Sequence, residues 1–113
     1  MTTETAPYEP QVKAYEPSQY MQATELVRMA YNGAKAYENA PETQEALAAL
    51  LGAMEAEPED TLLASDYRYL MDRTEKVSDT VRQHFHPINA ATLKELADAR
   101  EHLKSAYATW KIS

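Results

Sequence analysis

Apolar residues recur at three- and four-residue intervals in four stretches of the chain, and prolines stand between the stretches. From Ser18, whose hydroxyl can cap the free amides after Pro17, the series Tyr20, Ala23, Val27, Ala30 or Tyr31, Ala34 and Tyr37 predicts a helix to about Asn39. Pro41 suits the first turn of a second helix. Glu42 would face its positive dipole end, Leu47, Leu50, Leu51 and Met54 its core, and it would end before Pro58. A third helix, about Glu59 to Phe85, has the most regular stripe: Leu63, Tyr67, Leu70, Thr74, Val77, Val81 and His84 or Phe85. Pro87 disfavours a helical His86, and Asn89 is expected to cap a fourth helix. Its stripe reads Leu93, Leu96, Ala99 or Arg100, Leu103, Ala106 or Tyr107, and Trp110. No alternating strand pattern or hairpin dipeptide competes with this reading.

Four amphipathic helices joined by short proline-marked turns must bury their stripes on one another. The expected fold is therefore all-α, an antiparallel up-and-down four-helix bundle over residues 18–113. Residues 1–17 hold Pro7, Pro10 and Pro17 among polar residues and are expected to form an extended arm. Leu70, Val77, Leu96 and Leu103 sit at the centres of the two clearest stripes and should be buried. The second helix is shorter than its neighbours, which would leave part of their stripes uncovered. Such a groove either receives a partner or is covered by the arm of the same molecule. Gly33 interrupts the first helix at a cost of about 1 kcal/mol relative to alanine, so it is expected where a neighbouring chain approaches closely.

Length bounds the chain to one domain: 113 residues and 12.8 kDa, with 44% hydrophobic and 26% charged residues, a globular composition. It has no cysteine, which excludes disulfide frameworks, thiol catalysis and thiolate zinc sites and predicts a reducing, cytoplasmic setting. No apolar run has the length of a membrane span, and residues 1–20 lack the basic start and apolar stretch of a cleaved signal. The formal charge of −7 is unevenly divided. Residues 1–60 carry eleven acids against Lys13, Arg28 and Lys35, a local net of −8, whereas the remainder is nearly balanced. That argues against a nucleic-acid partner, which would need clustered lysine and arginine.

Candidate chemistry is sparse. Of the three histidines, His84, His86 and His102, the first two stand two residues apart, on different faces of any helix, and even with Asp79 one turn before them no recognised metal spacing appears. Arg82 and His86 are too close for the arginine–histidine spacing of helical ribonucleases, and Pro87 follows. There is no glycine-rich phosphate loop or nucleophile motif. The expectation is a protein without catalytic residues, cofactor or metal. Eight tyrosines against one phenylalanine are the most unusual feature, since tyrosine suits half-wet surfaces. Tyr67 and Tyr69 fall on different faces of the third helix. Met21, Met29, Met54 and Met71 add adaptable side chains suited to gap filling or to a promiscuous groove.

Four segments carry a resemblance. Glu25-Leu-Val-Arg-Met-Ala-Tyr-Asn-Gly-Ala34 resembles the first-helix signature of the flagellar export chaperone FliS family, typically Glu-Leu-Val/Ile-x-Met-Leu-Tyr-Asp-Gly-Ala. Leu63-Ala-Ser-Asp-Tyr67-Arg-Tyr69-Leu-Met71 is similar to the family's Leu-Tyr-Asp-Tyr-Met element, and Ala106 to Trp110 to its closing Ala-Trp. Lys13-Ala-Tyr15 resembles the tyrosine-bearing arm. The chain departs from the family at the start of the first helix, where Gln22-Ala-Thr24 replaces Thr-Ala-Ser-Pro, in its shorter second helix, and in its tyrosine spacing.

The resemblance implies a cytoplasmic export chaperone without catalytic activity. Such a protein binds the disordered C-terminal segment of flagellin, or a similar helical client, along the bundle and prevents premature polymerisation. The candidate client-binding residues on the apolar stripes are Tyr31, Met54, Tyr67, Tyr69 and Met71, of which Tyr31 and Tyr67 carry the family signatures, with Tyr8 and Tyr15 covering the groove, in a monomer or weak homodimer. Two alternatives remain open at this point: an acidic helical inhibitor or decoy of a basic protein partner, of the kind a phage encodes, and a small helical enzyme centred on His84.

Overall fold

The computed structural model describes residues 17–112; the expected arm with Tyr8 and Tyr15 lies outside the described residues except for Pro17. Among the described residues the helices are α1 (Gln19–Ala36), α2 (Pro41–Glu55), α3 (Ala64–Gln83) and α4 (Asn89–Ile112), with a 3-10 turn at Glu59–Thr61. Among the described residues there is no strand.

Each helix packs on its two neighbours around a ring, and the interface between α1 and α4 is the most extensive. Contacts between opposite ends fix the directions. The Tyr20 hydroxyl at the start of α1 donates to the Met54 carbonyl at the end of α2 (2.7 Å), and Arg68 near the start of α3 donates to the Tyr107 hydroxyl near the end of α4 (3.0 Å). The result is the antiparallel up-and-down bundle that the stripes require. The inner face of α1 is small, with Ala23, Ala30 and Ala34 fully buried, so α4 can approach closely with Leu96, Ala99 and Leu103. Leu70, Val77, Leu96 and Leu103 are all buried, as are Leu47, Leu50 and Met54 of α2. Core hydroxyls bond back to their own helix: Thr74 donates to the Leu70 carbonyl (2.7 Å) and Ser78 to that of Thr74 (3.1 Å).

Helix ends differ from the sequence expectation, each for a local reason. Ser18 caps α1 as expected, accepting from the Met21 amide (3.1 Å), but α1 stops at Ala36. Glu38 takes a left-handed conformation (φ 54°), and the Asn39 amide turns back to the Ala34 carbonyl (2.8 Å). Tyr37, placed on the stripe by spacing, is consequently exposed. The third helix starts later than Glu59: Leu62 and Leu63 are extended, and the Asp66 carboxylate accepts from the Leu63 amide (2.8 Å). Leu62 therefore takes the core position expected of Leu63, which is exposed. At the other end α3 stops at Gln83, leaving His84 extended and Phe85 in solvent.

Asn89 does not serve only the helix it begins. Its amide nitrogen donates to the Val81 and His84 carbonyls at the end of α3 (3.1 and 2.6 Å), while its oxygen accepts from buried Asn39 (3.0 Å). One side chain thus ties both turns at this end of the bundle. The close approach expected at Gly33 is absent: a methyl group there would meet nothing within 4 Å.

Candidate functional site

At the opposite end lies a cleft of ≈ 640 Å³. It arises from a mismatch in helix length. Gln19, the first residue of α1, lies beside His102, with side chains 2.6 Å apart. Ten residues of α4 follow His102, about 15 Å of helix, and α1 has no described helical turn to pair with them. Sequence reasoning traced an uncovered stripe to the shortness of α2; among the described residues it is α1, beginning late relative to α4, that leaves the end of α4 without a helical neighbour.

Tyr67 of α3 lies at the base of the cleft, with Ala106, Thr109 and Trp110 of α4 along one side. Ser18 and Gln19 contribute the start of α1, and Glu59 and Asp60 the 3-10 turn. Spacing on α4 explains the aromatic wall: Tyr107 and Trp110 are three residues apart and stack with centroids 6.0 Å apart and planes 21° apart. Tyr67 touches both, at 5.7 Å and 6.1 Å, and Tyr20 meets Tyr67 edge-on at 6.3 Å. Tyr67 is almost fully buried, whereas Trp110 retains 39% of its surface. The cleft therefore presents a fixed aromatic base and a more open indole.

The electrostatics are negative. Ser18 donates its hydroxyl hydrogen to Glu59 (2.8 Å), holding that carboxylate at the rim. Burial first, then the neighbouring Tyr67 and the carboxylates of Glu59, Asp66 and Glu57, push the Tyr20 phenol up to about 12. Tyr67 is raised in the same direction, first by burial and then by Glu59. Two described cations touch the cluster: Arg68 bonds the Tyr107 hydroxyl, and the Lys111 amine sits 5.2 Å from the Tyr107 ring centroid.

The five residues expected to bind a client do not share one groove. Tyr67 alone lines the large cleft. Tyr69 is exposed and borders a smaller hollow with Ala53, Leu62 and Leu70. The Met54 side chain is buried in the core and touches a third hollow, beside Arg28, which is tied to Glu25 and Glu55. Tyr31, with the Lys35 amine 5.3 Å from its ring centroid, and Met71 are partly buried against the core. The stripe shows which side of a helix is apolar, but not where the neighbouring helix stops. Trp110 could have been found from its spacing to Tyr107 and Ala106; Glu59 and Asp60 could not, because they read as the start of a helix.

The histidines remain apart. His86 accepts the Ile88 amide hydrogen through Nδ1 (3.1 Å), His84 stands 4.0 Å from Glu42, and His102 lies beside Gln19. Among the described residues, no group of three or more histidines and acids is placed to hold a metal ion, and no helix is long and apolar enough to cross a membrane.

Comparison with protein-family models, with curated proteins and with solved structures finds no match to this chain.

Proposed function

We propose that this protein is an export chaperone of the flagellar type, which binds the disordered C-terminal segment of flagellin or a similar client and keeps it from polymerising in the cytosol. One observation carries the reading. Two of the four segments that resemble the FliS family, Leu63 to Met71 and Ala106 to Trp110, meet at the cleft, where the Tyr67 and Trp110 rings lie 6.1 Å apart. An aromatic cleft open along a bundle edge is suited to an amphipathic segment that orders on binding. The client exchanges apolar surface from water for ring contacts, and its ordering cost keeps the complex reversible enough for release. On this reading the protein binds a client and catalyses no reaction.

Ser18, which follows residues 1–17 in sequence, lines the cleft wall. Tyr8 and Tyr15 would then cover the cleft in the absence of client and compete for the same surface. Calorimetric titration with the C-terminal segment of flagellin tests both parts. Binding that weakens at least tenfold in Trp110→Ala while thermal stability stays nearly constant supports the assignment. Deletion of residues 2–16 should tighten binding. Weaker binding after deletion, with helix content intact, would make those residues part of the site instead of its cover.

A further inference from the structure

Asn89 ties the α3–α4 turn to the α1–α2 turn, and the bonds that place it run through two histidines. Its backbone amide donates to the His86 carbonyl (3.0 Å), closing a turn with Pro87 at its second position, and its side chain donates to the His84 carbonyl (2.6 Å). Pro87 has no amide hydrogen, so the first free amide after His86 is that of Ile88, and it donates to Nδ1 of the His86 ring (3.1 Å). The ring thereby does what an asparagine or aspartate oxygen does two residues before an amide in a turn. An imidazole nitrogen accepts only while it carries no hydrogen, so this bond requires the neutral ring with its hydrogen on Nε2. The Ile88 carbonyl in turn accepts from the Thr92 amide (3.1 Å), so the residue held by the ring is the one from which α4 starts.

We infer that His86 makes this turn a pH-sensitive latch, closed while its ring is neutral and loosened when Nδ1 gains a proton. Protonation replaces the acceptor by a donor and leaves the Ile88 amide facing an N–H. It also sets positive charge beside the positive end of α4, whose first turn holds no acid. Histidine ordinarily changes charge between pH 5 and 8, so the latch works in that range. The other titratable groups at this end do not undo the effect. His84, at the end of α3, stands 4.0 Å from Glu42 in the first turn of α2 and gains only a weak, largely exposed pair when protonated. Arg82 is paired with Asp79 and Lys94 with Asp98, Lys35 lies over the Tyr31 ring, and Glu38 is exposed in the α1–α2 turn. What the latch holds is a polar end of the bundle. Asn39, Thr43 and Thr92 are buried there, and the Thr43 hydroxyl has no partner among the described residues, so closure depends on hydrogen bonds more than it does around Leu70 and Leu103. The latch lies at the other end of the bundle from the cleft and does not require the protein to bind flagellin.

NMR of the full chain between pH 8 and pH 5 tests the inference. At pH 8 the ring nitrogens of His86 should show the hydrogen on Nε2, a measurement that needs no variant. At pH 5 the protection of the Ile88, Asn89 and Thr92 amides against hydrogen exchange, corrected for the intrinsic rate, should fall about fivefold, the equivalent of one hydrogen bond. His86→Asn keeps an acceptor two residues before the Ile88 amide and removes the titration. Its protection should match the parent at pH 8 and stay there at pH 5. His84→Gln keeps the carbonyl that Asn89 bonds and removes the pair with Glu42, so it should retain the fall. Circular dichroism establishes that both variants are folded. A hydrogen on Nδ1 of His86 at pH 8, unchanged protection in the parent, or an equal fall in His86→Asn would overturn the inference. So would loss of the response in His84→Gln, which would assign it to the pair of His84 with Glu42.

Discussion

Ser18 joins the start of α1 to the rim of the cleft: one hydroxyl accepts from the Met21 amide at 3.1 Å and donates to Glu59 at 2.8 Å. The two bonds act at different levels. The first satisfies one of the free amides of a helix N-terminus; the second fixes a carboxylate contributed by a residue 41 positions away. A helix cap and a wall of the candidate site therefore depend on the same atom.

Ser18→Ala should lower stability by about 1 to 2 kcal/mol, because it removes both bonds. Glu59→Gln retains the cap and should cost less than half as much. Urea unfolding followed by helical circular dichroism checks both, and equal losses would show that the link to Glu59 outweighs the cap.

Gly33→Ala should stabilise the protein by about 1 kcal/mol. The position is helical, its φ is not positive, and an added methyl meets nothing within 4 Å, so only the backbone entropy of glycine is removed. A rise in the urea midpoint without a change in slope is the expected result.

At high pH the buried phenol of Tyr20 should weaken the fold. Its folded value of about 12 lies above the ordinary 10, so the folded state holds that proton more tightly than the unfolded chain does. Its contribution is complete below pH 10 and is lost as the pH rises through 12. Tyr20→Phe should flatten this part of the stability profile, and ultraviolet titration of the folded protein should lose a late-ionising phenol.

Tyr69 is 55% exposed, and its replacement by glutamate should change the melting temperature by no more than a few degrees. If clients extend from the cleft across the neighbouring hollow, as the proposed function expects, their affinity should fall severalfold in this variant. Comparable losses of stability and binding would assign Tyr69 a structural role.

The sequence carries the bundle clearly because the stripes of α3 and α4 repeat over many turns, and Leu70, Val77, Leu96 and Leu103 are buried where the spacing puts them. It carries helix ends poorly. Leu62 and Leu63 are equally apolar, and the sequence does not show that Leu62 turns inward while the Leu63 amide is held by Asp66 at the start of α3. The site was legible in part for the same reason. Tyr67 and Trp110 follow from stripe and resemblance, but a cleft depends on where one helix begins beside another, and that offset between Gln19 and His102 is a tertiary quantity. Glu59 reaches the rim because the chain makes a 3-10 turn where periodicity predicts helix.

The most direct measurement of the central claim, that the end cleft is where a client binds, is the amide and indole NMR spectrum of the full protein titrated with the C-terminal segment of flagellin. The account predicts saturable shifts at the Trp110 indole and at the amides of Ser18, Glu59 and Tyr67, with the opposite end around Asn39 and Asn89 unchanged. Shifts centred on that opposite end, or no saturable shift at Trp110, would contradict it.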